Sequence, residues 1–222
     1  LFEAAKIGNQ KQTSSCVGWA AAQAMYTFMK VHHQVDIFPS VLGLYGLGRI
    51  RGGESIQHGK LVDAGSFPIA VVEASMDWGV LSSEDLEFDD EKINEPVPWD
   101  LVQKASVQLS SWQRFGWDLS TREAEIKSYL AAETPVMFGM QVTDEYERLR
   151  SDQVYDGDSG FYKGGHMQCI VAYEEGVAVV AGSWGTSFAN KGFARITFRE
   201  LCSSHQYSDF YAINSAPQLG KS

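Results

Sequence analysis

The stretch Asn9-Gln10-Lys11-Gln12-Thr13-Ser14-Ser15-Cys16-Val17-Gly18-Trp19-Ala20 decides the reading of this chain. A polar loop runs directly into an apolar, alanine-rich segment, and one cysteine stands at the junction. Val17, Ala20, Ala21, Ala24, Met25 and Phe28 recur at helical spacing, which predicts a helix from Cys16 to about Lys30. The thiol then lies in the first turn. Partial positive charge at a helix N-terminus favours the thiolate, the nucleophilic form of cysteine. The alanines let neighbouring elements approach closely, as suits a central helix buried between lobes.

Working outward, Pro39-Ser40 opens a second helix through about Leu47, and residues 56–64 and 69–78 read as further helical segments, with Gly79 as a stop. Residues 82–98 are acidic and interrupted by proline, so they read as loop. Residues 107–110 read as a strand, and Thr121 caps a helix over 123–132. Strands are then expected at 136–140, 166–173, 176–181, 192–198 and 210–213. Helices first and strands later imply an α+β chain of one domain over 1–222, with a helical lobe at about 9–105 and a β-rich lobe at about 106–215. Such lobes would leave a cleft between them.

The 222 residues carry 18 Lys and Arg against 28 Asp and Glu, a net charge of −10 that argues against nucleic acid and anionic membranes as partners. No run of about 18 apolar residues predicts a transmembrane helix. No charged-then-apolar leader marks a signal peptide, and Leu1 is not an initiator methionine. Three cysteines form no even disulfide framework. Cys169 alternates with apolar residues on an expected strand and reads as a buried, inert thiol; Cys202 reads as structural. This usage favours a reducing compartment such as the cytoplasm. His32, His33, His58 and His205 show no ligand spacing, so neither a metal nor an organic cofactor is expected.

Two further signals lie downstream. Gly164-Gly165-His166 opens a strand, and Gly182-Ser183-Trp184-Gly185 forms a turn. A cysteine at a helix start, a histidine after a glycine pair and a Ser-Trp-Gly turn, in that order, resemble the papain-like cysteine peptidases. That family places a Gln six residues before its catalytic Cys, as Gln10 stands to Cys16. Gly65-Ser66-Phe67-Pro68 is similar to the family's Gly-Gly-Tyr-Pro substrate platform, and the likeness continues through Trp78-Gly79-Val80 and residues 185–196. Val17-Gly18-Trp19, in place of a Trp directly after the Cys, looks more like the divergent prokaryotic and viral branches.

The resemblance implies a two-lobed papain-like fold, a helical lobe with a central Cys-bearing helix beside an antiparallel, β-barrel-like lobe. It implies a cysteine endopeptidase acting on peptide or protein, with Cys16 as nucleophile, His166 as acid and base, and Gln10 as an oxyanion donor beside the backbone N–H of Cys16. Gly65, Ser66, Phe67, Pro68, Gly165 and Trp184 are the implied substrate-binding residues, with Phe67 and Pro68 flooring an apolar pocket. Lys11 and Ser66 each replace a family glycine. Thr13 and Asp63 occupy the places where secreted relatives pair cysteines. The main departure is Gly182, which stands where the family has the Asn that orients its His. It motivates one rival, a weakened or inactive pseudopeptidase that binds peptide or protein; a second rival, an acyltransferase on the same scaffold, keeps the chemistry and changes the acceptor. Oligomeric state is not legible.

Overall fold

The computed structural model describes residues 1–105, 107–109, 111–157, 160–203, 206–214 and 218–219. Its helices are α1 (Cys16–His33), α2 (Val41–Arg51), α3 (Pro68–Asp77), α4 (Trp99–Val102), α5 (Arg122–Ala131), α6 (Asp144–Glu147) and α7 (Phe198–Leu201). Its strands are β1 (Val107–Gln108), β2 (Trp112–Phe115), β3 (Val136–Thr143), β4 (Tyr162–Glu174), β5 (Val177–Ala181), β6 (Phe193–Thr197), β7 (Tyr207–Ile213) and β8 (Gln218–Leu219). Six strands form one antiparallel sheet in the order β2-β7-β3-β4-β5-β6, and β1 pairs with β8.

Helix α1 is buried all round: every residue from Val17 to Met29 is enclosed, the pattern of a helix inside a core and not on its surface. It ends at Gln34, whose left-handed backbone (φ 57°) turns its N–H back to the carbonyl of Met29. Gly18 lets α2 cross closely, because a β-carbon there would stand 3.0 Å from both Val41 O and Tyr45 Cβ. Ser40 caps α2, its Oγ accepting from Gly43 N at 3.0 Å. Pro68 occupies the first turn of α3, and Gly79 (φ 77°) follows its end.

Alternation along the sheet builds two cores. Met137, Met167, Cys169, Val171, Tyr211 and Ile213 pack with α1. Phe138, Met140, Ile170, Val180, Ile196, Phe210 and Ala212 join a second core with Ile126 and Leu130 of α5. Side chains of successive strand residues point to opposite faces, so Met167 faces α1 while His166 and Gln168 lie on the other side of β4. Among the described residues, no helix is long and apolar enough to cross a membrane.

Three expectations need correction. Residues 56–64 are not helical: Gln57 and Lys60 bridge across a tight turn in which His58 (φ 51°) and Gly59 (φ 78°) are left-handed. His166 does not open its strand, because β4 begins at Tyr162 and the glycine pair already lies in the ladder, Gly165 opposite Gln141. The strand expected over 107–110 is two residues long, and Ser110 lies outside the described residues, as does His205.

Candidate active site

Cys16 is the first residue of α1 and His166 the fifth of β4, and both line one cleft of about 470 Å³. The packing of α1 against β4 brings these two distant parts of the chain together. Cys16 is half-buried yet densely surrounded, and burial pushes its thiol up from the ordinary value, while the backbone N–H groups of Met167, Val17 and Cys16 itself act in the opposite direction. Burial likewise lowers the His166 imidazole to about 3. The thiol is therefore not depressed by the helix N-terminus alone, because desolvation outweighs it. Were a thiolate and an imidazolium to form here, they would be favourable only as a pair, each charge offsetting the desolvation of the other.

The His166 ring is 7% exposed and stacks on Trp184, with centroids 4.4 Å apart and planes inclined by 24°. Its Nε2 is fully enclosed and has no hydrogen-bond partner. Gly182 offers none, having no side chain. Its carbonyl accepts from Gln23 Nε2 of α1 at 2.8 Å, and its N–H donates to Gly192 O at 3.1 Å.

Gln10 is held by reciprocal bonds. Its backbone N–H donates to Ser183 O at 2.7 Å, and its Oε1 accepts from Ser183 Oγ at 2.7 Å. Its Nε2 donates to Thr13 O at 2.6 Å. An amide nitrogen carries two protons, so a second N–H remains for the cleft that Gln10 lines beside Cys16. Lys11, in the place of a family glycine, holds a left-handed backbone (φ 53°), where glycine is ordinarily favoured. Its ammonium lies 2.5 Å from Asp90.

Asp63 ties the Gly65 loop to the Cys16 loop. Both carboxylate oxygens accept from Ser14 N at 3.0 Å, and Oδ1 also accepts from Tyr45 Oη at 2.7 Å. The Tyr45 oxygen in turn accepts from Gly65 N at 3.0 Å. Thr13 does not take part; its hydroxyl bonds Gln10 O and Ser15 Oγ at 2.7 Å each.

Of the expected site residues, the structure brings Gln10, Cys16, Gly65, Ser66, Pro68, Gly165 and His166 to one cleft. Phe67 is not among them. It precedes α3 and is 68% exposed, so it does not floor the pocket with Pro68. Trp184 lies behind His166 and not on the cleft wall. Sequence reasoning missed Gln206, Ser208 and Asp209 at the cleft's far side, and the Ser14–Asp63–Tyr45 clamp. It also missed Gln168, although a lone polar residue within the apolar run 167–171 was a readable signal.

Known proteins are similar to this chain in sequence or in fold. An uncharacterized peptidase C1-like protein of Acanthamoeba polyphaga mimivirus is 24% identical over 220 residues, covering 92% of this chain and 68% of the relative. Xylellain, a cysteine protease from Xylella fastidiosa, superposes with a TM-score of 0.76 at 19% identity, over 95% of this chain and 83% of its own. A Carica candamarcensis cysteine protease in complex with E-64 gives a TM-score of 0.70 at 15% identity, over 99% and 96%. At these identities the solved structures establish the two-lobed α+β fold. The family model for papain family cysteine proteases matches residues 63–211, a span that includes His166 and begins after Gln10 and Cys16. By that match this chain belongs to the papain family of cysteine proteases.

Proposed function

We propose that this protein is a cysteine endopeptidase, one catalytic domain that cleaves peptide bonds through Cys16 and His166. The observation that carries this reading is the shared cleft: a thiol at the start of a buried helix, an enclosed imidazole and a fixed amide face one volume. In the reaction, His166 takes the thiol proton as the Cys16 sulfur attacks the substrate carbonyl. The oxyanion is met by the Cys16 backbone N–H and the free N–H of Gln10. His166 then gives its proton to the departing amine, leaving a thioester. Water, deprotonated by the same imidazole, hydrolyses the thioester and restores the thiol. An extended substrate lies along Gly65 and Ser66, whose buried Oγ has no partner in the protein. A reducing compartment belongs to this reading, supported by three free cysteines.

Labelling by an epoxide-type thiol-peptidase inhibitor, alongside hydrolysis of a mixed peptide library, tests it. Cys16→Ala and His166→Ala should each abolish both while leaving the circular dichroism spectrum unchanged. Turnover in either folded variant would exclude the mechanism. One observation favours a second reading, a peptide-binding pseudopeptidase: His166 Nε2 is buried without a partner beside Gly182. Specific peptide binding by a wild-type protein that neither cleaves nor labels would select it.

A further inference from the structure

We propose that Gln168 is the positioning residue for His166, supplying from β4 the amide carbonyl that Gly182 lacks. The inference rests on the reading of His166 as the acid and base. Gln168 lies two residues beyond His166 on the same face of the strand and is 1% exposed. Its direct cross-strand neighbour is Phe138, yet its Nε2 reaches 2.9 Å from Sδ of Met140, the residue opposite His166. The side chain therefore leans toward the His166 level of the sheet. Its Oε1 stands 3.7 Å from where a Gly182 β-carbon would be. The space that an orienting Asn at 182 would use is bordered by an amide oxygen entering from the neighbouring strand β4.

The orientation of that amide follows from its neighbours. A thioether accepts weakly and never donates, so the NH2 belongs at Met140. The Oε1 accepts from Tyr146 Oη at 2.7 Å. A carbonyl oxygen has a second lone pair, and His166 Nε2 is a buried ring nitrogen with no partner beside the same turn. Tyr146 also packs edge-on against Trp184, which stacks on the His166 ring. His166, Trp184, Tyr146 and Gln168 thus form one enclosed cluster. When Nε2 carries a proton, the second lone pair of Gln168 Oε1 accepts it, fixing the tautomer that leaves Nδ1 for Cys16.

The test uses the full chain with 15N-labelled histidine. In wild type, a slowly exchanging His166 Nε2–H resonance is expected. Gln168→Leu should remove it or speed its exchange, and should slow Cys16 alkylation at neutral pH about tenfold or more, the size expected for one charge-assisted hydrogen bond. Gly182 has no left-handed backbone, so φ admits Asn there; its β-carbon would stand 3.3 Å from Gly192 O, which must give by a few tenths of an ångström to receive it. Gly182→Asn alone should not improve alkylation, because its amide competes with Gln168 for one space. In Gln168→Leu it should restore both the resonance and the rate. Gln168→Glu, a variant that keeps acceptor oxygens, should raise the His166 pKa by about one unit or more. A resonance unchanged in folded Gln168→Leu, or a His166 pKa unmoved by Gln168→Glu, would overturn the assignment. A Gln168-dependent resonance without peptide turnover would support it while refuting the peptidase reading.

Discussion

Ser14 gives its backbone N–H to both carboxylate oxygens of Asp63 at 3.0 Å, and its hydroxyl donates to Asp63 O at 3.2 Å. The residue two before the candidate nucleophile is thereby fastened to the loop that carries Gly65. Secreted papain-like enzymes, by the resemblance drawn above, join these two loops with a disulfide. Here a carboxylate does so through hydrogen bonds, which is compatible with three free thiols.

Asp63→Ala should therefore loosen the Cys16 loop and the Gly65 loop together. It strands the Tyr45 hydroxyl and the Ser14 N–H, at a cost of about 1–3 kcal/mol for buried groups left without partners. In a chain of this size that lowers Tm by roughly 2–4 °C per kcal/mol. Peptide turnover should fall in kcat as well as rise in KM, because the platform and the thiol shift relative to each other. Tyr45→Phe, which removes only the hydroxyl, should show the smaller fall in Tm. Equal Tm for wild type and Asp63→Ala would show that the clamp does not stabilise the fold.

Gln10 and Ser183 allow the oxyanion role to be separated from substrate binding. Gln10→Ala should lower kcat/KM about 10²-fold or more, with the loss in kcat, as expected for a donor that acts on developing charge. Ser183→Ala leaves the amide in place but frees its Oε1, so a loss of about 2–10-fold is expected, the worth of one neutral hydrogen bond. If Gln10→Ala raised KM and left kcat unchanged, Gln10 would be a substrate-binding residue and not an oxyanion donor.

Much of this fold is legible because local rules and global packing agree. The apolar run after Cys16 matches α1, Ser40 caps α2, and the alternating strands of the second half are the core of the sheet. Reading failed where one consideration stood alone. Residues 56–64 hold several apolar residues, but His58 and Gly59 take left-handed backbones that close a turn. Strand β2 was missed because Gln113 and Arg114 are exposed and its pairing with β7 is long-range. The meeting of Gln10, Cys16 and His166 at one cleft was anticipated through family spacing and not through local pattern. Asp63 and Gln168 were hidden for a different reason. Each acts through partners far away in sequence, Ser14 and Tyr45 for one and Tyr146 for the other, and such partners leave no local periodicity.

The three thiols should differ in reactivity by position. Cys169 is fully buried on the α1 face of β4, and burial pushes its thiol far up, so it should react only after unfolding. Cys202 follows α7, and burial raises its pKa too. Cys16, at the cleft, should be alkylated first, and Cys16→Ala should remove the fast phase. Titration in denaturant without reductant should count three thiols. A count of one would mean that two had paired and would remove the support for a reducing compartment.

The enclosed His166 predicts a pH dependence of stability whose sign can be worked out. Burial holds the neutral imidazole at a pKa of about 3 in the folded protein, against about 6.5 in an unfolded chain. The folded state therefore binds fewer protons than the unfolded state between these values. Unfolding is then favoured as the pH falls, because ∂ΔG/∂pH is positive when the unfolded state holds more protons. The stabilising contribution is fully present above about pH 6.5 and is lost progressively as the pH falls toward 3. Cys16→Ala is the background for the measurement, because without the thiol no ion pair can keep the ring charged. Urea midpoints at pH 7 and pH 4.5 should differ for Cys16→Ala, and His166→Gln added to it should reduce that difference. An identical pH response in the two proteins would mean that His166 takes up its proton in the folded state as easily as in the unfolded chain. The ring would then not be desolvated, and the argument that Cys16 and His166 become charged only as a pair would fail with it.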